Sequence, residues 1–249
     1  MVIRDENDVR GLLAIGRICA QTLHYMMGQV EPGMTTAELD RLGAAFLAKH
    51  RARSAPILTY QYPGATCISI NEQVAHGVPG SRVIQPGDVI NIDVSAELDG
   101  YIGDTGASMI VPPVDPAAEL LLKRTRATLN KAIDAVTADA PLNLIGRIVE
   151  GEARKYGYRT FRELGGHGVG RTLHEDPRNI PNHFQPRLRT KMAEGTVFTI
   201  EPFFTPGIGR IRTHDDKWTL LTIDGAISAQ FEHTVIVTRG KPIITTLLN

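Results

Sequence analysis

Three acidic side chains stand where an acid is costly. Asp93 lies inside Val89-Ile90-Asn91-Ile92-Asp93-Val94, Glu201 closes Val197-Phe198-Thr199-Ile200-Glu201, and Glu232 interrupts Ala229-Gln230-Phe231-Glu232-His233-Thr234-Val235. Runs this apolar read as largely buried strands. A lone ionised carboxylate in such a strand costs several kcal/mol even after relaxation, so each must be protonated, paired or bound to a cation. For any one of them a structural ion pair or a strand-end cap remains an alternative to a metal ligand.

A fourth acid joins through hairpin geometry. If Asp99-Gly100 is a two-residue turn, Leu98 faces Tyr101 and Asp93 faces Gly106. Asp104, two residues from Gly106 on the same strand, then points to the same face as Asp93, a diagonal neighbour roughly 7–8 Å away. Two carboxylates so placed repel unless positive charge lies between them, and a pair of cations roughly 3.5–4 Å apart fits that space. The inference holds only if no bulge shifts the register.

The imidazoles are less distinctive. His167 sits in the glycine-rich segment Leu164-Gly165-Gly166-His167-Gly168-Val169-Gly170, and His76 in Val74-Ala75-His76-Gly77. Glycine at these places lets backbone approach closely. Each histidine is a ligand candidate, with packing or a loop hydrogen bond as the alternative. His233 follows Glu232 on a predicted strand and should face away from it. Oxygen-rich ligands with one imidazole suit manganese, ferrous iron, cobalt or zinc, and no Cys-x-x-Cys or His-Glu-x-x-His pattern occurs.

The elements that must hold these residues come in two similar rounds. Helices are predicted over Asn7 to Met27 and Thr35 to Arg51, the second with Thr35 as cap and Glu38 three residues on. Strands follow at Cys67-Ile70, Asp88-Ser95 and Tyr101-Val111. Then come helices over Pro116 to Ala138 and Leu142 to Tyr156, and strands at Thr196-Phe203, Trp218-Ile223 and Ala229-Thr238. Gly87-Asp88-Val89-Ile90-Asn91-Ile92-Asp93 matches Gly195-Thr196-Val197-Phe198-Thr199-Ile200-Glu201, and His76-Gly77-Val78 echoes His167-Gly168-Val169. The reading is a pseudo-symmetric α/β domain over 1–249 whose halves both supply acids and histidines to one cleft.

Composition narrows the function classes. The 249 residues are 42% hydrophobic and 22% charged, with 27 Lys+Arg against 27 Asp+Glu. That balance points to neither a nucleic-acid nor an anionic-membrane partner. Two cysteines, Cys19 and Cys67, form no disulfide framework and fit a reducing compartment. No run approaches the roughly 18 apolar residues of a membrane span, and the first residues, MVIRDENDVR, lack the order of a secretory leader.

Taken together, these segments resemble the type I methionine aminopeptidases over nearly the whole chain. The resemblance rests on Cys67-Ile68-Ser69-Ile70-Asn71-Glu72, His76-Gly77-Val78-Pro79, Gly87 to Val94, Asp99 to Thr105, Gly166 to Arg171, His174-Glu175-Asp176-Pro177, Thr199-Ile200-Glu201-Pro202 and Ser228 to Thr234. It implies the pita-bread (creatinase/aminopeptidase) fold, a curved mixed sheet covered by helices with internal pseudo-two-fold symmetry. It implies two divalent ions, one held by Asp104, His167, Glu201 and Glu232 and the second by Asp93, Asp104 and Glu232. His76 and His174 would flank the scissile amide, and Glu201 would shuttle the proton. Tyr62, Cys67, Phe203 and Trp218 match the walls of the methionine pocket. The substrate would be the initiator methionine of a nascent chain with a small second residue, met at the ribosome by a cytoplasmic monomer. Some relatives also bind a monovalent cation near residues matching Asn71 and Ser228.

The chain departs from the family's pattern in the pocket. Pro56 and Thr59 replace a usual Cys and Tyr, Leu173 replaces an aromatic, and Lys217 replaces the Gly before the pocket Trp. These changes bear on substrate range and leave the ligand types intact. An Xaa-Pro peptidase on the same fold is the first rival, but such enzymes carry a further histidine where this chain has Glu163. A binding module that kept the fold without catalysis is the second, and such proteins typically lose ligands.

Overall fold

The computed structural model describes residues 1–248. The first round is α1 (Glu6–Gln29), α2 (Thr36–Lys49), β1 (Arg53–Ser54), α3 (Ala55–Tyr60), β2 (Cys67–Ile70), β3 (Gln73–Ala75), β4 (Val89–Leu98) and β5 (Tyr101–Ile110). The second is α4 (Pro116–Asp134), α5 (Asn143–Lys155), β6 (Gly165–Gly168), β7 (Glu175–Pro181), β8 (Val197–Ile200), β9 (Phe203–Phe204), β10 (Ile211–Thr213), β11 (Leu220–Thr222), β12 (Ala229–Gln230), β13 (His233–Ile236) and β14 (Ile243–Ile244).

Local chemistry sets the helix starts. Asp5 caps α1 by accepting from the N–H groups of Asn7 and Asp8. Thr35 and Glu38 form a reciprocal capping box at α2, as their spacing predicts. Along α1, Leu12, Ile15, Cys19, Leu23 and Met26 recur at helical spacing and are buried; this face packs on β4 and β5. Each such side chain contributes roughly 1.5–3 kcal/mol when fully buried. In the second round α4 covers β8, β9 and β12, and α5 packs on α4 and β7. One hydrophobic cluster runs from Ile15 to Val237 and joins both rounds. No described helix is long and apolar enough to cross a membrane.

The two rounds place equivalent strands at their centres. β4 carries β5 on one edge and β2 with β1 on the other; β8 carries β13 on one edge and β6 on the other. Every ladder between named strands is antiparallel, whereas the resemblance implied a mixed sheet. The β4–β5 hairpin has the expected register, Leu98 opposite Tyr101 and Asp93 opposite Gly106, with no bulge. Asp99 and Gly100 both have positive φ, 50° and 80°, as a type I′ turn requires.

Two predicted strands are shorter than expected because they break at their acids. The run Thr196–Phe203 splits into β8 and β9 around Glu201-Pro202, where proline lacks the N–H a ladder needs. The run Ala229–Thr238 splits into β12 and β13 around Phe231-Glu232. There the N–H of Glu232 donates to the carbonyl of Gly106 at 2.8 Å, and Phe231 bridges to Ala107. The break is therefore the seam that joins the second half to the first.

Register also separates the two echoes. Aligning Asp93 with Glu201 aligns Ile90 with Phe198, whose partners across the ladder are Ile70 and Gly168. The position matching His167 is thus Ser69, and His76 lies outside the strands. The shared His-Gly motif reflects close backbone approach at both places, not positional equivalence: a Cβ on Gly77 would lie 2.2 Å from the carbonyl oxygen of Ile68, and one on Gly168 would lie 2.4 Å from that of Asp176.

Candidate metal centre

The seam brings four carboxylates and one imidazole together. Asp104 on β5 is 4% exposed and Glu232 is 2% exposed. Thr234 Oγ1 donates to the Asp104 carbonyl at 2.7 Å, and Thr105 Oγ1 donates to the Glu232 carbonyl at 2.8 Å. Ser95 Oγ donates to Asp104 Oδ1 at 2.8 Å, and Gln230 Nε2 donates to Glu232 Oε2 at 2.9 Å. Gln230 is itself held by Asn91, whose Nδ2 donates to Oε1 at 2.7 Å. Asp93, on the central strand β4, shares this face.

His167 reaches the cluster from β6. A Cβ on the neighbouring Gly166 would lie 2.1 Å from the carbonyl oxygen of Thr199, so only glycine lets β6 lie this close to β8. The His167 N–H donates to Thr199 Oγ1 at 3.1 Å, and Thr199 Oγ1 donates to Glu201 Oε1 at 3.2 Å. With Nδ1–H donating to the Gly168 carbonyl at 3.2 Å, His167 presents the bare Nε2 lone pair to Asp104 Oδ2 at 3.6 Å and Glu201 Oε1 at 3.7 Å. Three electron-rich atoms facing one another are repulsive unless a cation sits among them.

Two further observations fit a cation. Asp93 Oδ1 and Glu232 Oε1 are buried without a hydrogen-bond partner, a penalty normally avoided. One ligand atom each from Asp104, His167 and Glu232 lie within 4.8 Å of one another. Burial raises the carboxyls of Asp104, Glu201 and Glu232 well above their ordinary range, with the charge of neighbouring carboxylates as the next cause. Burial and the neighbouring His174 hold the His167 imidazole down to about 3, so it is a neutral nitrogen donor at pH 7. The donor set of buried carboxylate oxygens plus one imidazole fits hard or borderline divalent metals.

A cavity of about 420 Å³ opens over this cluster. Its floor is Asp93, Asp104, His167, Glu201 and Glu232. Tyr62, Cys67, Phe203 and Trp218 give it apolar lining, with the Tyr62 and Trp218 rings edge to face at 5.3 Å. Tyr62 Oη donates to the Gly77 carbonyl at 2.7 Å, which fixes its ring. Burial raises the Cys67 thiol, keeping it a neutral apolar wall. His76 and His174 line the same cavity. His76 has φ 54°, a left-handed conformation that costs a non-glycine residue about 1 kcal/mol or more. Burial keeps both imidazoles below their usual pKa. All eleven residues singled out from the sequence therefore face one space.

Of the pocket departures, Pro56 and Leu173 line the cavity, whereas Thr59 is exposed and does not. Glu163 also lines it. His233 turns away, as its place beside Glu232 predicts, and shares a 2.8 Å hydrogen bond with Thr246. Asn71 and Ser228 do meet, the N–H of Ser228 donating to the Asn71 carbonyl at 3.2 Å. Four supporting residues escaped the sequence reading. Ser95 and Gln230 lie two residues from Asp93 and Glu232, a period-two signal that marks them as same-face neighbours. Thr199 lies two residues before Glu201 in the same way. Tyr60, whose hydroxyl lies 2.7 Å from His174 Nδ1, leaves no such signal.

Comparison with known proteins agrees with this geometry. Residues 10–239 match the model of metallopeptidase family M24. Methionine aminopeptidase 2 of Bacillus subtilis is 40% identical, with 100% of both chains covered. The crystal structure of a methionine aminopeptidase from Thermotoga maritima superposes with a TM-score of 0.95 at 32% identity, covering 99% of each chain. The prolidase of Pyrococcus furiosus shares the fold alone, at 19% identity and a TM-score of 0.80 over 100% of this chain and 66% of that one. Family model, full-length identity and superposition converge: the chain belongs to metallopeptidase family M24, among its methionine aminopeptidases.

Proposed function

We propose that the chain, acting as one catalytic domain over 1–249, removes the N-terminal methionine from nascent proteins and peptides whose second residue is small. The observation that carries this reading is the pairing of an orphaned carboxylate cluster with an apolar pocket in one cavity. Asp104, His167, Glu201 and Glu232 would hold one divalent ion, and Asp93, Asp104 and Glu232 the other, so that Asp104 and Glu232 are shared. When bound, such ions polarise the scissile carbonyl and lower the pKa of water.

The chain's own residues account for the rest. Tyr62, Cys67, Phe203 and Trp218 take the thioether side chain, which binds by dispersion and burial. His76 and His174, neutral at pH 7, offer N–H donors to the carbonyl oxygen as negative charge develops on it. Glu201 takes a proton from the attacking water and delivers it to the departing amine as the C–N bond breaks. The products are free methionine and a peptide with a new amino terminus. The two free, buried cysteines fit the reducing cytoplasm, and the proposal places the chain there as a monomer acting on chain ends emerging from the ribosome, as the family resemblance implies. A monovalent cation beside Asn71 and Ser228 is a further element of this proposal.

Incubating the manganese-loaded protein with Met-Ala-Ser and with Ala-Pro-Ala tests the reading. Release of methionine from the first and no cleavage of the second is expected. Cleavage of Ala-Pro-Ala in preference would transfer the chain to the Xaa-Pro reading, against the Glu163 observation.

A further inference from the structure

Tyr60 is the last residue of α3, and its placement is built in. Ser54 caps α3 through Oγ and also donates to the Ala65 carbonyl at 2.8 Å. Gln61, in the left-handed region at φ 56°, closes the helix by donating to the Ile57 carbonyl. This sets the Tyr60 hydroxyl 2.7 Å from His174 Nδ1, with the ring centroids 5.6 Å apart. The His174 ring also lies against His167, at 3.9 Å between centroids.

The direction of the Tyr60 bond follows from the two groups. A phenol is the stronger donor, and a neutral imidazole nitrogen is the stronger acceptor. Burial raises the Tyr60 phenol further, so it keeps its proton. The hydroxyl therefore donates to Nδ1, and the imidazole proton resides on Nε2. We propose that Tyr60 is a positioning residue that holds His174 as its Nε2–H tautomer and in one ring orientation, leaving Nε2–H as the donor to the scissile carbonyl. The proposal rests on the reading of His174 as a substrate donor and adds what sets its proton. Thr59, at the position where the family usually carries tyrosine, is exposed, and the phenol beside His174 belongs to the adjacent Tyr60.

Tyr60→Phe tests it in the metal-loaded enzyme. Tyr60 is 43% exposed, so the variant should fold with unchanged melting temperature and metal content. Loss of an aligned donor costs up to roughly a hundredfold or more when it is removed outright; slippage of tautomer and orientation should lower kcat on Met-Ala-Ser roughly tenfold, with KM within about twofold. In the zinc-loaded protein, ¹⁵N spectra of labelled histidine should show wild-type His174 protonated on Nε2, and Tyr60→Phe as a mixture of tautomers. A wild-type proton on Nδ1, or a Tyr60→Phe enzyme with unchanged kcat and tautomer, overturns the proposal. His174→Ala separates the two levels. If it loses activity while Tyr60→Phe does not, only the role of Tyr60 falls; if it retains full kcat, the reading of His174 falls as well.

Discussion

Replacing Asp104 by asparagine should stabilise the metal-free protein and abolish its response to metal. Asp104, His167 and Glu232 offer ligand atoms no more than 4.8 Å apart. Two full charges at that distance repel by about 3.5 kcal/mol at an effective dielectric of about 20. The metal-free cluster escapes part of this by retaining protons, so the recoverable amount is smaller, about 2 kcal/mol. Asparagine keeps the oxygen that accepts from Ser95 and places an N–H₂ where Oδ2 faces His167 Nε2. In a chain of this length about 2 kcal/mol corresponds to about 4–8 °C in melting temperature. Differential scanning calorimetry in EDTA should therefore show Asp104→Asn melting above wild type. With saturating manganese the order should reverse, because only wild type gains binding free energy. A variant that melts below wild type without metal, yet is stabilised by metal to the same extent, would refute the account of the cluster.

Three other outcomes follow from the same geometry. Gly166→Ala forces a Cβ to 2.1 Å from the Thr199 carbonyl oxygen, so it should push β6 from β8, displace His167, and lower both melting temperature and metal occupancy. Trp218→Ala removes part of the apolar lining of the cavity and should lower kcat/KM for Met-Ala-Ser by about 10–100-fold, as loss of roughly 1.5–3 kcal/mol of burial requires, while Glu232 and its neighbours still take up metal. Falling pH should stabilise the metal-free protein through the raised carboxyls of Asp104, Glu201 and Glu232, which hold protons that the unfolded chain, with ordinary carboxyls, has lost. Below pH 6.5 the lowered imidazoles of His167, His76 and His174 oppose this, since only the unfolded chain protonates them there. Thermal melts in EDTA at falling pH check the sign.

The parts legible in the sequence were those fixed by short-range rules. Asp99-Gly100 set the hairpin, and the period of two then carried Asp93 to the face of Asp104. Thr35 and Glu38 announced α2. Sequence reading failed where long-range contacts decide. α3 has only six residues, among them Pro56 and Thr59, and is held by Ser54 reaching Ala65. β7 is an edge strand carrying Pro177, Arg178 and Asn179, without alternating apolar residues to betray it. The break at Glu232 follows from an N–H that leaves its own sheet for Gly106, a partner more than a hundred residues away. The histidine echo misled because glycine serves close approach in unrelated places.

The most direct test of the central claim is free-methionine release from Met-Ala-Ser under anaerobic conditions, titrated with each of manganese, ferrous iron, cobalt and zinc, for wild type and Glu201→Gln. The account predicts release that rises with metal and saturates in wild type, and a variant at least about a hundredfold slower, as loss of a general base requires. A wild-type protein that takes up no divalent metal and releases no methionine, or a Glu201→Gln variant as fast as wild type, would contradict it.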